Sequence, residues 1–529
     1  MDTTVLSMEN STKVYSNGFV ANKNVDFSVR EGEIHALVGE KGAGKSTLLK
    51  LIFGVEKPDQ GRILLRGKEI HIKDPIVAIK NGIGMVHQHF MLVPSLTVAE
   101  NMVLGMEPRR GGFFRMDEAV RISEEAATKY NFKVSATARV EDLSVGKKQK
   151  IEILKALIRG AKILILDEPT AVLTPQETKE LFVELKNLRD NGYTIIFISH
   201  KLNEITELCD RLTVLRAGRM IGVREVANMD ERGISRMMVG RDVALDITKR
   251  EASPDGVILS VRHVSKLAHS AKKILDDVSF RIRKGEILGI AGVEGNGQTE
   301  LGEIIAGMDK RFEGEVRIGD VDADGLSVRQ IREKGVSHIS EDRMTYGVMG
   351  NGSIAENIIS DRYYKRDFQK GPLIDAKKVD GLADALIESF SIKCDGKDQP
   401  IRMLSGGNMQ KVVVAREFTS KAELILANQP TRGIDVGASE FIRNKLVELR
   451  DQGAGILLIS ADLNEVMGLS DSLIVMSGGR IAAYFEDAKT VSTDELGEYM
   501  LGLKTMSAEE IAKVSDASPA ETRGVASNE

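Results

Sequence analysis

The chain repeats itself, and two copies of one pattern mean two domains of one fold rather than a single large one. Leu6-Ser-Met-Glu-Asn-Ser-Thr-Lys-Val-Tyr15 aligns with Leu259-Ser-Val-Arg-His-Val-Ser-Lys-Leu-Ala268, and Gly32-Glu33-Ile34 aligns with Gly285-Glu286-Ile287. Further on, Leu143-Ser144 matches Leu404-Ser405 and Leu202-Asn203-Glu204 matches Leu463-Asn464-Glu465, at a slightly wider spacing. A short insertion has therefore entered the middle of the second copy. The copies take residues 1–240 and 257–503, each of about 250 residues and near the upper size for one core. Residues 241–256 between them carry Arg-Asp, Lys-Arg-Glu and Ser-Pro-Asp-Gly and read as a polar linker. From about Lys504 to Glu529 the chain is rich in Ala, Ser, Glu and Thr, where the expectation is a frayed helix followed by a disordered tail.

Composition narrows the class of partner. Lys and Arg (73) nearly balance Asp and Glu (78), so no basic surplus marks a nucleic-acid or membrane-surface binder. Two distant cysteines, Cys209 and Cys394, form neither a disulfide framework nor a zinc ribbon and fit a reducing compartment. No stretch approaches the apolar length of a membrane span and the N-terminus lacks a signal-peptide layout, so any membrane role is expected to be peripheral. With no Trp and 5% aromatics, base-stacking platforms are not expected.

Within the first copy, the apolar run Ile34–Val38 meets a glycine loop and then the helical pattern Thr47–Phe53. Aliphatic strands at Ile163–Leu166 and Thr194–Ser199 each follow an amphipathic helical stretch, Lys148–Arg159 and Pro175–Asp190. Alternation of this kind predicts an α/β fold with a mainly parallel sheet covered by helices. Residues 91–143, with helical patterns and few strand signals, read as an inserted helical subdomain.

Two motifs in that frame carry chemistry. Gly39-Glu40-Lys41-Gly42-Ala43-Gly44-Lys45-Ser46-Thr47 satisfies G-x-x-x-x-G-K-[ST] after a strand and at the start of a helix. Glycines let backbone N–H groups approach phosphates, the helix N-terminus favours an anion, Lys45 neutralises phosphate oxygens and the Ser46 hydroxyl suits Mg²⁺. Ile163-Leu-Ile-Leu-Asp167-Glu168-Pro169 is a buried strand ending in two acids, Asp167 for the metal shell and Glu168 as general base toward the attacking water. A glycine turn or an acidic strand end is ordinary by itself, whereas phosphoryl chemistry requires both.

Leu143-Ser144-Val145-Gly146 and Leu404-Ser405-Gly406-Gly407-Asn408 resemble the signature motif of ATP-binding cassette (ABC) proteins. Gln88 resembles that family's Q-loop residue, also a metal ligand, His200 its switch histidine, and Tyr15 its adenine-stacking aromatic. The resemblance covers nearly all of residues 5–503, twice. It implies two tandem P-loop cassettes, each with an antiparallel β part beside the parallel sheet, using ATP and Mg²⁺. It also implies head-to-tail sites. The first would combine Tyr15, residues 39–47, Gln88, Asp167, Glu168 and His200 with Ser405, Gly406 and Gly407. The second would combine Gly292, Gly295, Gly297, Gln298 and Thr299 with Ser144 and Gly146.

The second copy departs from the motif at each chemical position. Gln298 stands for the lysine, Ala268 for Tyr15, Glu341 for Gln88, Asn428 for Asp167, Gln429 for Glu168 and Ala461 for His200. The second site is therefore expected to turn over ATP negligibly while its backbone cradle can still bind nucleotide. The pattern, with His87–Asn101 and Ala427-Asn-Gln-Pro, is similar to ATP-binding subunits of bacterial simple-sugar importers and most to their nucleoside branch. That implies an ATPase at the cytoplasmic face of the cell membrane. Its implied partners are two integral-membrane permeases and an extracytoplasmic binding lipoprotein, with no nucleic acid. A ribose or galactose importer stays open, as does a soluble twin-cassette ATPase acting on ribosomes or DNA.

Overall fold

The computed structural model describes residues 3–515 except Asn17, Lys41, Gln88, His89, Val172, His200, residues 241–246, Thr248 and residues 269–272. Lys41, Gln88 and His200 among the candidate site residues, and part of the linker, thus lie outside the described residues. Two compact units divide the chain, Met1–Val243 and Ala244–Glu529.

The first unit carries strands β1 (Thr4–Val14), β2 (Val20–Arg30), β3 (Ile34–Gly39), β4 (Gln60–Leu65), β5 (Lys68–Ile70), β6 (Ile83–Val86), β7 (Arg109–Arg110), β8 (Phe113–Phe114), β9 (Ile163–Asp167), β10 (Thr194–Ile198), β11 (Arg211–Arg216) and β12 (Arg219–Glu225). One sheet is antiparallel, in the order β2-β1-β4-β5, and a second runs β12-β11-β3-β10-β9-β6. In the second sheet β3 pairs in parallel with β10 and β11, and β9 pairs in parallel with β10 and β6. β3 and β10 are buried along their whole length, which is why they read as unbroken aliphatic runs rather than alternating ones. The α/β class with parallel and antiparallel parts is as the sequence leads one to expect. One strand, β10, separates the carboxyl ends of β3 and β9, so the glycine loop and the acid pair open on the same edge.

The inserted region holds helices Val98–Val103 and Met116–Lys129 and packs Ala99, Val103, Ala119 and Ala136 together. Thr97 and Glu100 form a capping box that starts the first of these helices.

The second unit repeats the plan with β13 (Asp255–Leu267), β14 (Lys273–Lys284), β15 (Ile287–Gly292), β16 (Glu313–Ile318), β17 (Val321–Asp322), β18 (Val336–Ile339), β19 (Gln369–Lys370), β20 (Leu373–Ile374), β21 (Leu424–Asn428), β22 (Gly455–Ile459), β23 (Ser472–Ser477) and β24 (Arg480–Phe485). Its main sheet runs β18-β21-β22-β15-β23-β24. A single π-helical turn, Arg343–Gly347, follows β18.

The segment after Lys504 differs from expectation. Its helix, Ala508–Ala512, starts on a Ser507/Glu510 capping box and is docked rather than frayed. The Met506 N–H donates to the Ala482 carbonyl (2.9 Å), and Val514 is buried in the core beside β13 and β14. Residues 516–529 lie outside the described residues. Neither cysteine is bridged, and burial pushes the Cys209 thiol up. Among the described residues no helix is long and apolar enough to cross a membrane.

Candidate nucleotide sites

The first site begins where β3 ends. A Cβ on Gly39 would lie 2.3 Å from the Leu215 carbonyl oxygen, and one on Gly44 would lie 2.5 Å from that of Ala21, with Gly44 at φ 100°. Neither position accepts a side chain. Gly44 caps the helix Lys45–Phe53 without any side-chain hydrogen bond, so the first-turn N–H groups face the loop. Gly42 also takes a positive φ, Ala43 is buried beneath the loop and Ser46 is exposed. The Lys45 ammonium donates to the carbonyls of Gly39 (2.6 Å) and Glu40 (3.1 Å). It is held across the loop where a triphosphate would replace those carbonyls as acceptor.

The acid pair closes the site from β9. Burial raises the Asp167 carboxyl above its ordinary value, the neighbouring Glu168 charge raises it further, and Lys45 and His87 oppose both. Glu168 sits at φ 50° and its N–H donates to the Ile198 carbonyl (3.0 Å), a left-handed turn that carries its carboxylate off the strand end. The residues present fit ATP with Mg²⁺: an exposed hydroxyl on Ser46, a carboxylate on Asp167 within electrostatic reach of Lys45, and a helix start open to an anion. Tyr15 stacks on Phe19 with ring centroids 6.5 Å apart, and its hydroxyl donates to Glu56 (2.9 Å) and contacts the Thr47 hydroxyl (3.3 Å).

Asp167 carries a testable cost. Because its folded value is raised, the native state holds the proton more tightly than the unfolded chain does. Its contribution to stability is therefore lost as pH rises through that raised value. Asp167→Asn should stabilise the nucleotide-free chain at neutral pH by about 1 kcal/mol, the scale of one unfavourable charge interaction at a partly buried position. The same change should remove turnover. Urea unfolding at pH 7 without nucleotide, beside a phosphate-release assay, checks both.

One residue that organises this edge escapes motif reading. Glu204, nearly fully buried, accepts hydrogen bonds from the Thr170 and Ser199 hydroxyls (both 2.6 Å) and pairs with Lys201 (3.2 Å). It ties the turn after the acid pair to the segment around position 200. Glu465 does the same in the second unit, accepting from Thr431 (2.9 Å) and Ser460 (2.7 Å). The sequence signal was the Leu-Asn-Glu repeat, which marks the copies but not the role.

The second site keeps the backbone and changes the chemistry. Gly295 and Gly297 take φ 90° and 97°. Gln298 is buried, its amide donates to the Val293 carbonyl (3.2 Å), and a Cβ on Gly292 would lie 2.1 Å from that amide. Thr299, at the metal-hydroxyl position, donates instead to Glu341 (2.8 Å), which is ion-paired with Arg432. Gln429 has the φ of Glu168, 51°, and the same backbone bond, here to Ile459 (2.7 Å), while its side-chain oxygen accepts the Ala461 N–H (3.1 Å). Asn428 replaces Asp167 without charge. These residues do not fit a Mg²⁺ shell of the first kind.

Both signature motifs start helices. Ser144 caps Val145–Ile158 and Ser405 caps Gly406–Phe418. A Cβ on Gly146 would lie 2.4 Å from a Glu177 carboxylate oxygen, and one on Gly407 would lie 2.6 Å from that of Asp435. A side chain at either glycine would have to displace the carboxylate at the start of the next helix.

Residues 22–171 and 275–432 each match the family described as ABC transporter. The chain belongs to that family and is an ATPase with two ATP-binding cassettes. It is 42% identical to the guanosine import ATP-binding protein NupO of Bacillus subtilis, over 94% of this chain and 97% of that one. It is 40% identical to the nucleoside import ATP-binding protein NupA of Lactococcus lactis, over 94% and 98%. A ribose import ATP-binding protein, RbsA 1 of Rubrobacter xylanophilus, is 39% identical over 96% and 99%.

Proposed function

We propose that this chain is the energy-coupling ATPase of a nucleoside importer, hydrolysing ATP at its first site only. In this reading it sits at the cytoplasmic face of the membrane beneath two permeases served by an extracytoplasmic binding lipoprotein. The observation that carries it is the pair of matched turns: Glu168 and Gln429 share φ and backbone hydrogen bond, and the side chain of the first can take a proton where that of the second cannot. Transport of nucleosides rests on the two nucleoside-import relatives.

At the first site Ser46 and Asp167, with Gln88, would hold Mg²⁺, which supplies positive charge to the phosphate oxygens. The Lys45 ammonium turns from the Gly39 and Glu40 carbonyls to those oxygens. Glu168 takes the proton of the water whose oxygen bonds to the γ-phosphorus as ADP leaves with the bridging oxygen. At the second site the Gln429 amide cannot accept that proton, and the buried Gln298 amide supplies no charge.

The test is uptake into vesicles carrying the membrane subunits and this chain. ATP-dependent accumulation of labelled guanosine, unaffected by excess ribose, is expected. Accumulation of ribose instead would assign the sugar branch. In the purified chain, Lys45→Ala should abolish hydrolysis, whereas Gln298→Ala should change it less than about twofold.

A further inference from the structure

The first unit contains a cavity of about 320 Å³ at the amino ends of β6 and β9, lined by Arg66, Lys80, Asn81, Arg159 and Lys162. Among the described residues no carboxylate lines it. Lys162 precedes β9 and Asp167 ends it, so at the usual strand rise the cavity lies about 15 Å from the acid pair of the ATP site. Three parts of the cassette bring the cations together. The Lys162 N–H donates to the Gly82 carbonyl (2.7 Å), joining the start of β9 to the turn after the helix Pro75–Lys80. Arg66, in the turn between β4 and β5, is fixed by its N–H on the Val5 carbonyl (2.8 Å), and Arg159 follows the helix Val145–Ile158. Their present partners leave donors to spare. Arg159 gives one N–H to the Leu104 carbonyl (2.5 Å), and the Lys162 ammonium lies over the Tyr193 ring, 4.2 Å from its centroid. Arg66 meets Glu31 (3.3 Å) with both side chains at least half exposed, a pair that water weakens. Lys80 is exposed and has no ion pair among the described residues.

The second copy shows that the fold does not call for these charges. It has Gly319, Glu333, Ser420 and Glu423 at the positions of Arg66, Lys80, Arg159 and Lys162, and Lys334 and Lys421 at those of Asn81 and Gly160. Its glutamates are ion-paired, Glu333 with Arg329 (3.0 Å) and Glu423 with Lys284 (2.5 Å). A surplus of four positive charges in the first copy is thus a balance in the second. Basic side chains commonly answer the dipole of a helix C-terminus, yet the matching helix Val328–Glu333 ends on an acid. Four like charges around one cavity repel, and a bound anion relieves that repulsion. We propose that this cavity binds a small phosphorylated molecule, a sugar phosphate or a mononucleotide, at a site separate from both ATP sites. Guanidinium and ammonium groups are the usual partners of phosphate oxygens, and the volume stands at the low end of the range for small-molecule sites, about 300–1,000 Å³. The bound phosphate would tie the antiparallel sheet, the main sheet and the end of the signature helix to one another.

Isothermal titration calorimetry of the full-length chain, with excess AMP-PNP and Mg²⁺ filling the ATP sites, tests this with ribose 5-phosphate, AMP and fructose 1,6-bisphosphate as probes. At least one of them is expected to bind once per chain with a Kd below about 1 mM at physiological salt, whereas ribose and fructose do not bind. Lys80→Glu with Lys162→Glu, the residues of the second copy, should weaken that binding by about tenfold or more. ATP hydrolysis by this variant without probe should stay within about twofold of wild type, which reports that it folds. Arg66→Gly, again the residue of the second copy, should weaken binding as well and keeps the result readable if the double variant does not fold. The inference is overturned if none of the three phosphates binds, if binding is indifferent to both variants, or if ribose binds as well as ribose 5-phosphate. It is equally overturned if hexaglutamate or phosphatidylglycerol vesicles bind in place of the phosphates and the variants abolish that binding, which would give the cavity to an acidic protein segment or to a membrane.

Discussion

Glu168→Gln should lower steady-state ATP hydrolysis by at least about 10²–10³-fold while leaving ATP binding within about twofold. The amide is isosteric with the carboxylate, and the turn that presents it is built from backbone, through φ 50° and the bond to Ile198. Gln429 shows that the same turn accepts glutamine, at φ 51° with its bond to Ile459. The variant therefore folds as the wild type does and loses only the proton acceptor. The reciprocal change, Gln429→Glu, should restore nothing. Gln298 still donates to Val293 rather than to a phosphate, and Thr299 is still engaged by Glu341, itself held by Arg432. Adding one group to a site in which five other positions are changed recovers little, because residues that act as a unit are not additive. Phosphate release under saturating ATP, with binding followed by a fluorescent nucleotide, separates the two expectations. Residual turnover in Glu168→Gln that vanishes on mutating Gln429 would show that the second site works after all.

Motif chemistry was legible because it is local. Gly39–Thr47 and Asp167-Glu168 each place their groups within a few residues of a strand end, and the strand reads directly from its aliphatic run. What joins distant segments was not legible. Glu204 looks like any polar helix residue until Thr170 and Ser199 are seen to donate to it. Glu341 reads as a lost glutamine, yet its function is set by Thr299 and Arg432, neighbours in space alone. Phe19, which stacks on Tyr15, follows a turn whose geometry no periodicity reports. The docking of Met506 and Val514 escaped because the helix between them is too short to show an apolar face.

The strongest structural effect is expected at another residue that pattern alone misplaces. Glu417 falls within the signature helix, where a charged side chain would ordinarily mark a solvated face, yet it is 0% exposed. Its carboxylate accepts from Arg332 (2.8 Å) and Arg416 (2.8 Å), and Arg332 also reaches Asp361 (3.3 Å). Burial alone would raise the Glu417 carboxyl, but the Arg416 and Arg332 guanidiniums outweigh it and hold it below the usual range. Removing the anion leaves Arg332 with Asp361 and Arg416 buried without a carboxylate, so Glu417→Ala should cost about 3–5 kcal/mol. The first copy builds the same place without this pair, since Ile79 and Ala156 occupy the positions of Arg332 and Glu417, and Lys155, at the position of Arg416, lies near Glu152 instead (4.0 Å). Arg332→Ile combined with Glu417→Ala should recover part of the loss, because Arg332 no longer faces Arg416, while Arg416 stays buried without its carboxylate. A depressed folded value means that the stability Glu417 contributes is present at neutral pH. It is lost as pH falls below the ordinary glutamate range through the folded value, so the gap between wild type and Glu417→Ala should close on acidification. Urea unfolding by circular dichroism at pH 7 and pH 4 reads all three. Equal stability of Glu417→Ala and wild type at pH 7 would mean that the cluster holds no net stability, and a double variant no better than the single would mean that the charge is not its cause.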